Sequence, residues 1–490
     1  MNRCKERLVT TAFQGAIHGD SGMNSEYQRL EAEASDVERQ MRDLTTTVDL
    51  RTTVDHAKLG QQLAELGRKL ASLRHGQALI RAANSPELRQ SEREFVKELG
   101  QKFHSQGTRD KVIQLPGGVT VTLSVTYYHR LKCPRKAQRD GGSRGLFPLL
   151  LLLGIVDSYT PHMRQRMVRA AALLGSYEEA VEMLAGEGIH VSVNQLREVT
   201  AGMGRMLQRL GSQGLLTVAG EVSGRRLVVS MDGGRVRLRE RRRGKTKKGR
   251  KRFTPAWREP RLFIIYAVDE EGRMADDFPP VIDGTLGSCD QLVALLLASL
   301  RSLNVTAAAR VLFVADGAAW IWRRIPGLVK SLGLKDDQVQ QLIDFWHATE
   351  YLGKIADSKQ LNGVQKQHWL KAQKKHLWGG DIDRVVQEIK TLLGARKTKA
   401  QTTWLNYFIT HGLTHRRMDY ARSRTHQMPI GSGAIESAVR RVINMRVKSN
   451  AVYWLRENAE TIIRLRAWIK AGRAEELFQQ TTYITPALAL

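Results

Sequence analysis

The sequence predicts an α/β core that an all-helical insertion interrupts and that helical regions precede. Two short apolar runs indicate the core: the run from Arg226 ends at Asp232, and the run from Val311 ends at Asp316. Glycine follows each Asp, and an apolar run bounded by glycine is typical of a buried strand that delivers a side chain to the rim of a sheet. A third acidic residue, Glu436, is predicted instead to open a helix.

The chain is strongly basic and long enough for two or three domains. Its 490 residues include 77 Lys and Arg against 49 Asp and Glu, a formal net charge of +28. A polyanion partner is the first expectation for such a chain, although an anionic membrane would also satisfy the charge. The longest apolar stretch, Leu146 to Val156, is well short of the roughly 20 residues of a spanning helix. Since the N-terminus also lacks a signal-peptide pattern, we expect a soluble, cytoplasmic protein and no membrane partner.

The three cysteines do not form a recognisable site. Cys4, Cys133 and Cys289 are far apart and make no Cys-x-x-Cys pair. The sequence therefore indicates neither a disulfide framework nor a zinc ribbon. We interpret Cys133 as structural.

Residues 1–110 carry an apolar stripe that predicts a helical, coiled-coil-like region. From Val37 to Leu73, apolar residues recur at spacings of three and four among charged neighbours. Either the stripe mediates self-association, or it packs within its own domain. Residues 111–145 are predicted as a short β and basic linker region, because Gly118 to His129 alternates branched and polar residues before a basic stretch.

Residues 146–222 predict a helical domain with the layout of a helix-turn-helix. Ser176 fits the start of one helix, glycines break that helix, and Ser192 can cap a second helix shortly afterwards. In a DNA-binding protein the second helix would present Asn194, Gln195 and Arg197 to a groove. Two helices joined by a glycine turn are also common in proteins that never bind DNA, so both interpretations stay open.

The most basic tract of the chain follows Asp232 closely. Between Arg235 and Arg252, twelve of eighteen residues are Lys or Arg, and Glu240 is the only acid. Such a run is usually a solvated loop. Beside an acidic site it would instead lie where a DNA backbone must pass, and each phosphate contact would add salt-dependent affinity. We favour the DNA interpretation, with contacts from Arg241, Arg242, Arg243, Lys247, Lys248, Arg250 and Lys251.

The order of elements after Arg225 indicates a ribonuclease H-like α/β fold. Two strand patterns, a helix at about residues 290–303, the strand before Asp316 and a further apolar segment precede the sequence Asp344-Phe-Trp-His347. We predict the first part of the core over residues 223–350, a helical insertion over residues 351–428, and a C-terminal helical part over residues 429–490. Asp232 and Asp316 would then lie on neighbouring central strands.

Asp232, Asp316 and Glu436 form a set that suits divalent cations. Carboxylates that converge from two strand ends and a helix can hold two Mg²⁺ ions about 3.5–4 Å apart, which activate the attacking oxygen and stabilise the leaving oxygen of a phosphodiester. That is the chemistry of nucleases and strand-transfer enzymes. Taken singly, an Asp before Gly is most often a turn residue, but the joint pattern favours the metal site.

From about Leu146 to its C-terminus the chain resembles bacterial insertion-sequence transposases of the DDE class, most closely the ISKra type. The motifs are Ser-Met-Asp232-Gly, Val-Ala-Asp316-Gly-Ala, Asp344-Phe-Trp-His347, Gly431-Ser-Gly-Ala-Ile-Glu436-Ser-Ala, Met445-Arg-Val-Lys and Leu465-Arg-Ala-Trp. The Asp-x-x-His pair is similar to a signature of Mutator-like transposases, which also have a helical insertion before the Glu. The family often has a Cys-x-x-Cys-like element, whereas only Cys133 stands here, so a zinc-stabilised end-recognition module is not implied.

The resemblance implies roles for individual residues. The DDE triad, which would hold two Mg²⁺ or Mn²⁺ ions per site, consists of Asp232, Asp316 and Glu436. The residues that would support this site are Asp344 and His347. Basic residues downstream of the triad that would contact DNA are Arg440, Arg446 and Lys448.

The implied function is that of a DNA transposase, which binds the ends of its element and catalyses metal-dependent strand cleavage and 3′-OH strand transfer. Its partners would be terminal repeats and target DNA, and it would act as a homodimer or higher oligomer at the bacterial nucleoid. Three alternatives stay open. They are a structure-specific nuclease with the same site, a non-catalytic DNA-binding regulator, and a helix-turn-helix repressor, although the repressor leaves the acidic residues unexplained.

Overall fold

The computed structural model describes residues 21–99, 103–130, 145–245, 249, 251–448 and 452–482. It divides into two compact units. The first comprises Met1–Ala170, Glu178–Val199 and Thr482–Leu490, and the second comprises Ala171–Tyr177 and Thr200–Thr481. Five residues named above lie outside the described residues, namely Cys4, Cys133, Lys247, Lys248 and Arg250.

The first unit is built from long helices and a small antiparallel sheet. Its helices and strands, three of which continue into the second unit, are α1 (Ser21–Thr47), α2 (Thr53–Asn84), α3 (Pro86–Glu98), β1 (Phe103–Gln114), β2 (Thr120–Arg130), β3 (Gly145–Leu146), α4 (Pro148–Leu152), α5 (Pro161–Leu173), α6 (Tyr177–Gly186) and α7 (Val193–Ser212). The sheet has the order β1-β2-β3. Strand β2 confirms the strand predicted between Gly118 and His129, and β1 begins inside the stretch that the sequence predicted as helical.

The N-terminal apolar stripe packs within its own unit. Val37 of α1 and Leu73 of α2 are fully buried in one core with Val121 and Leu123 of β2. The helices therefore use part of the stripe to cover the sheet, which is the second of the two interpretations that the spacing allowed. Self-association stays a prediction.

Helices α6 and α7 lie where the sequence predicted two helices, after Ser176 and after Ser192, and their action as a helix-turn-helix stays a prediction. Ser192 and Gln195 form a reciprocal cap at the start of α7, because the Gln195 amide donates to the Ser192 hydroxyl (3.2 Å) and the Ser192 amide donates to the Gln195 side chain (2.8 Å). Leu196 faces the core, whereas Asn194 and Arg197 are exposed. Gln195 thus has a structural partner within the helix end.

The second unit contains a five-stranded sheet, a two-stranded hairpin and many helices. Its strands are β4 (Arg226–Gly233), β5 (Val236–Lys245), β6 (Lys251–Arg258), β7 (Arg261–Val268), β8 (Val281–Thr285), β9 (Arg310–Ala315) and β10 (Val339–Ile343). Its helices are α8 (Cys289–Ser302), α9 (Ala319–Trp322), α10 (Ile325–Leu332), α11 (Phe345–Ser358), α12 (Gly363–Gly379), α13 (Ile382–Leu393), α14 (Lys399–Phe408), α15 (Tyr420–Thr425), α16 (Gly433–Val439), α17 (Arg456–Lys470) and α18 (Ala474–Thr482).

The five-stranded sheet is mixed. Its strand order is β10-β9-β4-β7-β8; β4, β9 and β10 run parallel to one another, and β7 and β8 are antiparallel to their neighbours. The near-continuous burial of β7 and β9 explains their apolar sequences, because a strand covered on both faces cannot alternate with polar residues. The unit is therefore a mixed α/β fold.

A buried ion pair attaches the edge strand β8 to helix α17. Asp283 accepts two hydrogen bonds from the Arg464 guanidinium, at 3.0 and 2.6 Å, and the two side chains are only 4% and 6% exposed. An isolated carboxylate at that depth would be costly. Strand β8 was not predicted from the sequence, since Arg464, the partner of its Asp283, lies far along the chain.

The basic tract forms a β-hairpin rather than an irregular loop. Strands β5 and β6 pair antiparallel from Val236 with Arg258 to Lys245 with Lys251. The hairpin is attached to the rest of the unit at Trp454, whose amide donates to the Arg237 carbonyl (3.0 Å) and whose carbonyl accepts from the Arg239 amide (2.8 Å).

Residues 351–428, predicted as a helical insertion, are largely helical, and the first helix already begins at Phe345, inside the stretch predicted as the first part of the core. The segment between Asp344 and Met428 contains α11 to α15, and a π-helical turn, Ile409–Thr414, follows α14. Over the described parts of the chain, none of the helices combines the length and apolar character that a membrane crossing requires.

Replacing Asp283 with Asn should destabilise the second unit strongly. The Arg464 guanidinium would stay buried without its counter-charge, and breaking such a pair costs about 3–5 kcal/mol. Urea unfolding followed by circular dichroism measures the loss. The matched control is Asp277→Asn at the solvent-exposed pair with Arg225, which should leave the midpoint nearly unchanged; equal shifts for both variants would contradict the argument.

Candidate active site

Three parallel strands of the second unit each carry an aspartate at their carboxyl end. Asp232 is the penultimate residue of β4, Asp316 follows β9 directly, and Asp344 follows β10 directly. Because β10, β9 and β4 are adjacent and parallel, their carboxyl ends meet at one edge of the sheet, where α/β proteins commonly place functional residues. Asp232 and Asp316 therefore lie on neighbouring central strands, as the order of elements predicted.

The strands separate at this edge. Ladder pairing between β4 and β9 ends at Val229 with Phe313, and the Ser230 hydroxyl then donates to the Val314 carbonyl (2.6 Å). Gly317 follows Asp316, and a Cβ at that position would lie 2.3 Å from the Tyr407 ring. Glycine is thus required after the second Asp because helix α14 of the insertion packs directly against the chain there.

A cleft of about 490 Å³ opens at the same edge. Two strand-end carboxylates and two helix carboxylates line it, and three of these four are Asp232, Asp316 and Glu436. The structure therefore brings together the three acidic residues that the sequence singled out. The other lining residues are Met231, Trp346, His347, Glu350, Ser432, Gly433 and Ile435.

Asp344 connects the elements around this cleft. Its side chain is 1% exposed, and Oδ1 accepts the backbone amide of His347 (2.8 Å), which caps helix α11. Oδ2 accepts both the amide and the hydroxyl of Ser432, the residue before α16. The Asp344 amide donates to the Ala315 carbonyl (2.9 Å). One residue thus fixes β9, α11 and the start of the Glu436 helix.

Glu436 reaches the cleft because α16 packs against β4 and β7. Gly431 lies against Asp344 and Trp346, and a Cβ there would be 3.3–3.4 Å from both side chains. Gly234, just after β4, allows Ile443 to approach closely, since a Cβ would lie 2.8 Å from its side chain. These close contacts hold the short helix near the sheet edge.

Three side chains in and beside the cleft have strongly shifted pKa values. Burial, together with the negative charges of Asp316 and Glu436, raises the pKa of Asp232 to about 6, although the Gly233 amide opposes the shift. Burial also acts to raise the pKa of Asp344, but hydrogen bonds from His347 and Ser432 outweigh it and lower that pKa to about 2. The Asp344 carboxylate in turn raises the pKa of His347 to about 9 against the effect of burial. At neutral pH the site therefore holds an imidazolium beside its carboxylates.

Two sets of residues are candidates for holding a cation. Among the described residues, the ligand atoms of Asp344, His347 and Glu436 all lie within 4.8 Å of one another. Both oxygens of Asp344 already accept hydrogen bonds, so a cation here would compete with the donors on His347 and Ser432. His347 would also have to lose its proton on binding, because only a neutral imidazole can be a metal ligand.

The predicted triad is the second set, although among the described residues its ligand atoms are not a group that all lie within 4.8 Å of one another. Oδ1 of Asp232 accepts only the neighbouring amide of Gly233 (2.6 Å), and Oδ1 of Asp316 accepts that of Ala318 (2.9 Å). As far as the structure describes the chain, no hydrogen bond reaches their Oδ2 atoms. An all-carboxylate set suits Mg²⁺ or Mn²⁺, and a bound cation would offset the repulsion that raises the pKa of Asp232. That Asp232, Asp316 and Glu436 hold divalent cations stays a prediction.

Several residues of the cleft were not anticipated from the sequence. Glu350 lies three residues after His347 on α11 and lines the cleft with it, so helical spacing from the Asp-x-x-His motif was the signal that could have found it. Trp346 is 61% exposed at the cleft. The roles of Ser432, although it lies inside a named motif, and of Tyr407, which contacts Gly317 beside the cleft, had no such signal, because they depend on contacts distant in sequence.

The basic residues predicted to bind DNA fall into two groups. Those exposed in the described structure are Arg241, Arg242, Arg243, Lys251, Arg440 and Lys448. Arg446 differs, since it is only 5% exposed and its guanidinium donates to the Gly175 carbonyl (2.5 Å) and lies 5.2 Å from the Trp454 ring centre. Burial excludes a direct phosphate contact from Arg446 in this conformation, and the structure gives it a packing role.

Comparison with known proteins adds little to this geometry. No family model matches the chain, and no curated protein resembles its sequence. Among solved structures, the chain is similar to the Drosophila P element transposase strand transfer complex, with 12% identity over 70% of this chain and 82% of that chain, and a TM-score of 0.22. A similarity of that size does not decide fold or function, so the ISKra-type and Mutator-like resemblances stay predictions from the motifs.

Replacing Asp344 with Asn should lower the pKa of His347 from about 9 toward its ordinary value of 6.5, because the carboxylate is the main cause of the shift. Titration of the His347 ring by NMR measures it. In the wild type the raised pKa adds stability that is full below pH 6.5 and is lost as the pH rises through about 9, and the variant should lack this dependence. The control Glu350→Gln should lower the pKa less, since Glu350 is a minor cause. An unchanged pKa in Asp344→Asn would overturn the assignment.

Proposed function

We propose that the protein is a DNA transposase of the DDE class with a ribonuclease H-like core, which binds element ends and catalyses DNA strand cleavage and 3′-OH strand transfer. The observation that carries the proposal is the convergence of Asp232, Asp316 and Glu436 on one cleft from two adjacent parallel strands and a helix. The five-stranded mixed sheet, with a helical segment between the second Asp and the Glu, supports the fold assignment.

The cofactor would be a pair of divalent cations. When bound, two Mg²⁺ or Mn²⁺ ions supply activation of the attacking oxygen and stabilisation of the leaving oxygen. Asp232, Asp316 and Glu436 would hold them. The raised pKa of Asp232 means that its proton is lost readily only near and above pH 6, so this group is best prepared to act as a ligand at neutral and alkaline pH.

The residues around the carboxylates have separate tasks. His347, as an imidazolium, places a positive charge near Asp316 and suits the negatively charged phosphodiester in the cleft. Asp344 does not contact substrate and is a positioning residue, since its hydrogen bonds orient His347 and hold Ser432 before the Glu436 helix. The exposed arginines of β5 lie a few residues after Asp232 and provide a path for the DNA backbone.

Other parts of the proposal rest on the sequence motifs alone. These are the assignment to the ISKra type, the recognition of terminal repeats by α7, the action as a homodimer or higher oligomer on DNA, and the location at the bacterial nucleoid. The three exposed α7 residues proposed to face a groove are Asn194, Gln195 and Arg197.

Two alternatives share much of this geometry. A structure-specific nuclease would use the same carboxylates, and it differs only in that a cleaved 3′-OH end is not joined to target DNA. A non-catalytic regulator is disfavoured by the raised pKa of Asp232, because a half-buried aspartate beside two further carboxylates without a cation carries an electrostatic cost that a purely DNA-binding protein has no use for.

Removing any one carboxylate of the triad should abolish cleavage and joining. We expect Asp232→Asn, Asp316→Asn and Glu436→Gln each to lose at least about 100-fold in activity, because each removes a ligand charge, while DNA binding stays intact or becomes tighter. The assay incubates purified protein with Mg²⁺ and DNA flanking its own gene. Asp277→Asn is the control with equal charge change. Cleavage retained in a triad variant would remove that residue from the site, and cleavage without joining in the wild type would indicate the nuclease.

Neutralising the hairpin arginines should weaken binding to all DNA sequences. A triple variant in which Gln replaces Arg241, Arg242 and Arg243 should have a slope of log binding constant against log salt concentration that is smaller by about 2–3. Each phosphate contact contributes about 0.9 to that slope. Filter binding at several salt concentrations measures the slope. The control triple variant, Arg39→Gln, Arg42→Gln and Arg51→Gln, has the same charge change on the first unit. Equal slopes for the two triple variants would show a general charge effect only.

A further inference from the structure

The β5–β6 hairpin has one face on which arginines and aromatic rings alternate. Arg237 pairs with Trp257, Arg239 with Pro255 and Arg241 with Phe253 across the two strands. Because residues that lie opposite each other, and every second residue along a strand, point to the same side, these six side chains share one face. We call it the aromatic–arginine face; its members are Arg237, Arg239, Arg241, Phe253, Pro255 and Trp257.

The opposite face of the hairpin is used for packing. Val236 is 0% exposed and Leu238 is 3% exposed, and both belong to the set of positions that alternates with the arginines. This face is therefore buried and apolar at Val236 and Leu238, while Glu240 and Arg258 on the same face are exposed and form an ion pair. The rings of Phe253 and Trp257 lie on the face opposite Val236 and Leu238, so they do not contribute to the core.

The rings on the aromatic–arginine face stay in water although cations lie next to them. Trp257 is 55% exposed and Phe253 is 42% exposed. The Arg237 guanidinium lies 5.3 Å from the Trp257 ring centre and 5.1 Å from that of Tyr453, and the Arg239 guanidinium lies 5.2 Å from that of Phe253. Such cation–π contacts stabilise a hairpin modestly, but they do not require that half of a tryptophan remain solvated.

Exposed rings among positive charges match the chemistry of an unpaired polynucleotide. A single strand offers phosphates to the arginines and free base faces to the aromatic rings, whereas a duplex keeps its bases stacked inside. The face is also close to the cleft: Arg237 follows Asp232 by five residues, which limits their separation to about 18 Å. A strand that leaves the cleft can therefore reach it.

We propose that the aromatic–arginine face binds single-stranded DNA by stacking unpaired bases on Trp257 and Phe253. This deepens the proposed function, on which it rests, by naming an unpaired strand next to the reacting end as part of the substrate. Arg237 and Arg239 hold the rings in place from one side and contact phosphates on the other. Duplex DNA uses other residues of the basic tract.

The test measures binding without catalysis, on the full chain in EDTA. Fluorescence anisotropy gives the affinity for a labelled 12-nucleotide thymidine oligonucleotide, for the same oligonucleotide with abasic sites, and for a duplex of equal length. Trp257→Ala should weaken single-strand binding about tenfold, in line with the loss of one stacked base, with an unchanged salt slope. Its duplex affinity should stay within about twofold, which also reports that the variant is folded.

Two matched controls sharpen the result. Trp257→Phe keeps an aromatic ring and should retain single-strand affinity within about twofold, and the abasic oligonucleotide should bind wild type and Trp257→Ala equally, because it has no base to stack. Arg242→Gln with Arg243→Gln should instead lower the salt slope for both DNA forms. Equal losses on single strand and duplex for Trp257→Ala, or no loss on either, would overturn the proposal, and so would tighter binding of an acidic peptide than of the oligonucleotide at this face.

The outcomes separate this inference from the proposed function. If the protein joins DNA ends but Trp257→Ala leaves its affinity for single-stranded DNA unchanged, only the inference is contradicted. A protein that passes the binding test but cleaves no DNA in Mg²⁺ or Mn²⁺ would contradict the transposase assignment alone.

Discussion

The site depends on the hydrogen bonds of one buried carboxylate. Asp344 caps the helix that carries His347 and holds Ser432 immediately before the helix that carries Glu436, while its amide is bonded to the strand that ends at Asp316. Hydrogen bonds from His347 and Ser432 keep its pKa near 2 although it is buried. Two acceptor oxygens are what these donors require, because an orphaned donor at that depth would be costly. A neutral amide of the same shape has one acceptor oxygen, so it could serve either the His347 amide or the Ser432 donors but not both, and the backbone bond to Ala315 would remain.

The sequence predicted those parts of the core whose signals are local. The runs before Asp232 and Asp316 are buried on both faces of a sheet, so they appear as plain apolar segments. The helices around Ser192 and after Asp344 have side-chain caps that can be recognised within a few residues. The convergence of the acidic residues also followed from a local rule, since parallel strands deliver their ends to one edge.

The parts that the sequence did not predict depend on contacts between distant residues. Strand β8 contains Asp283, which local rules place in a turn, and only Arg464 of a much later helix makes its burial possible. The basic tract forms a hairpin because Val236 and Leu238 are buried and Trp454 pairs with its backbone, and the charge of its neighbours concealed that alternation. Arg446 is a basic residue that was predicted to contact DNA, but its side chain packs against Trp454 and donates to the Gly175 carbonyl.

The helical segment between Asp344 and Ser432 is closed at its base. Asp344 is bonded to Ser432, and the Phe345 amide donates to the Ile430 carbonyl (3.0 Å), so the chain leaves and rejoins the core at one narrow neck. Insertions whose ends lie together impose little on the domain that carries them. Length changes far from this neck can therefore accumulate during evolution without moving Glu436, provided that Tyr407 keeps its contact with Gly317. Residues at the neck keep Glu436 in place, whereas the part of the helical segment far from the neck can change in length.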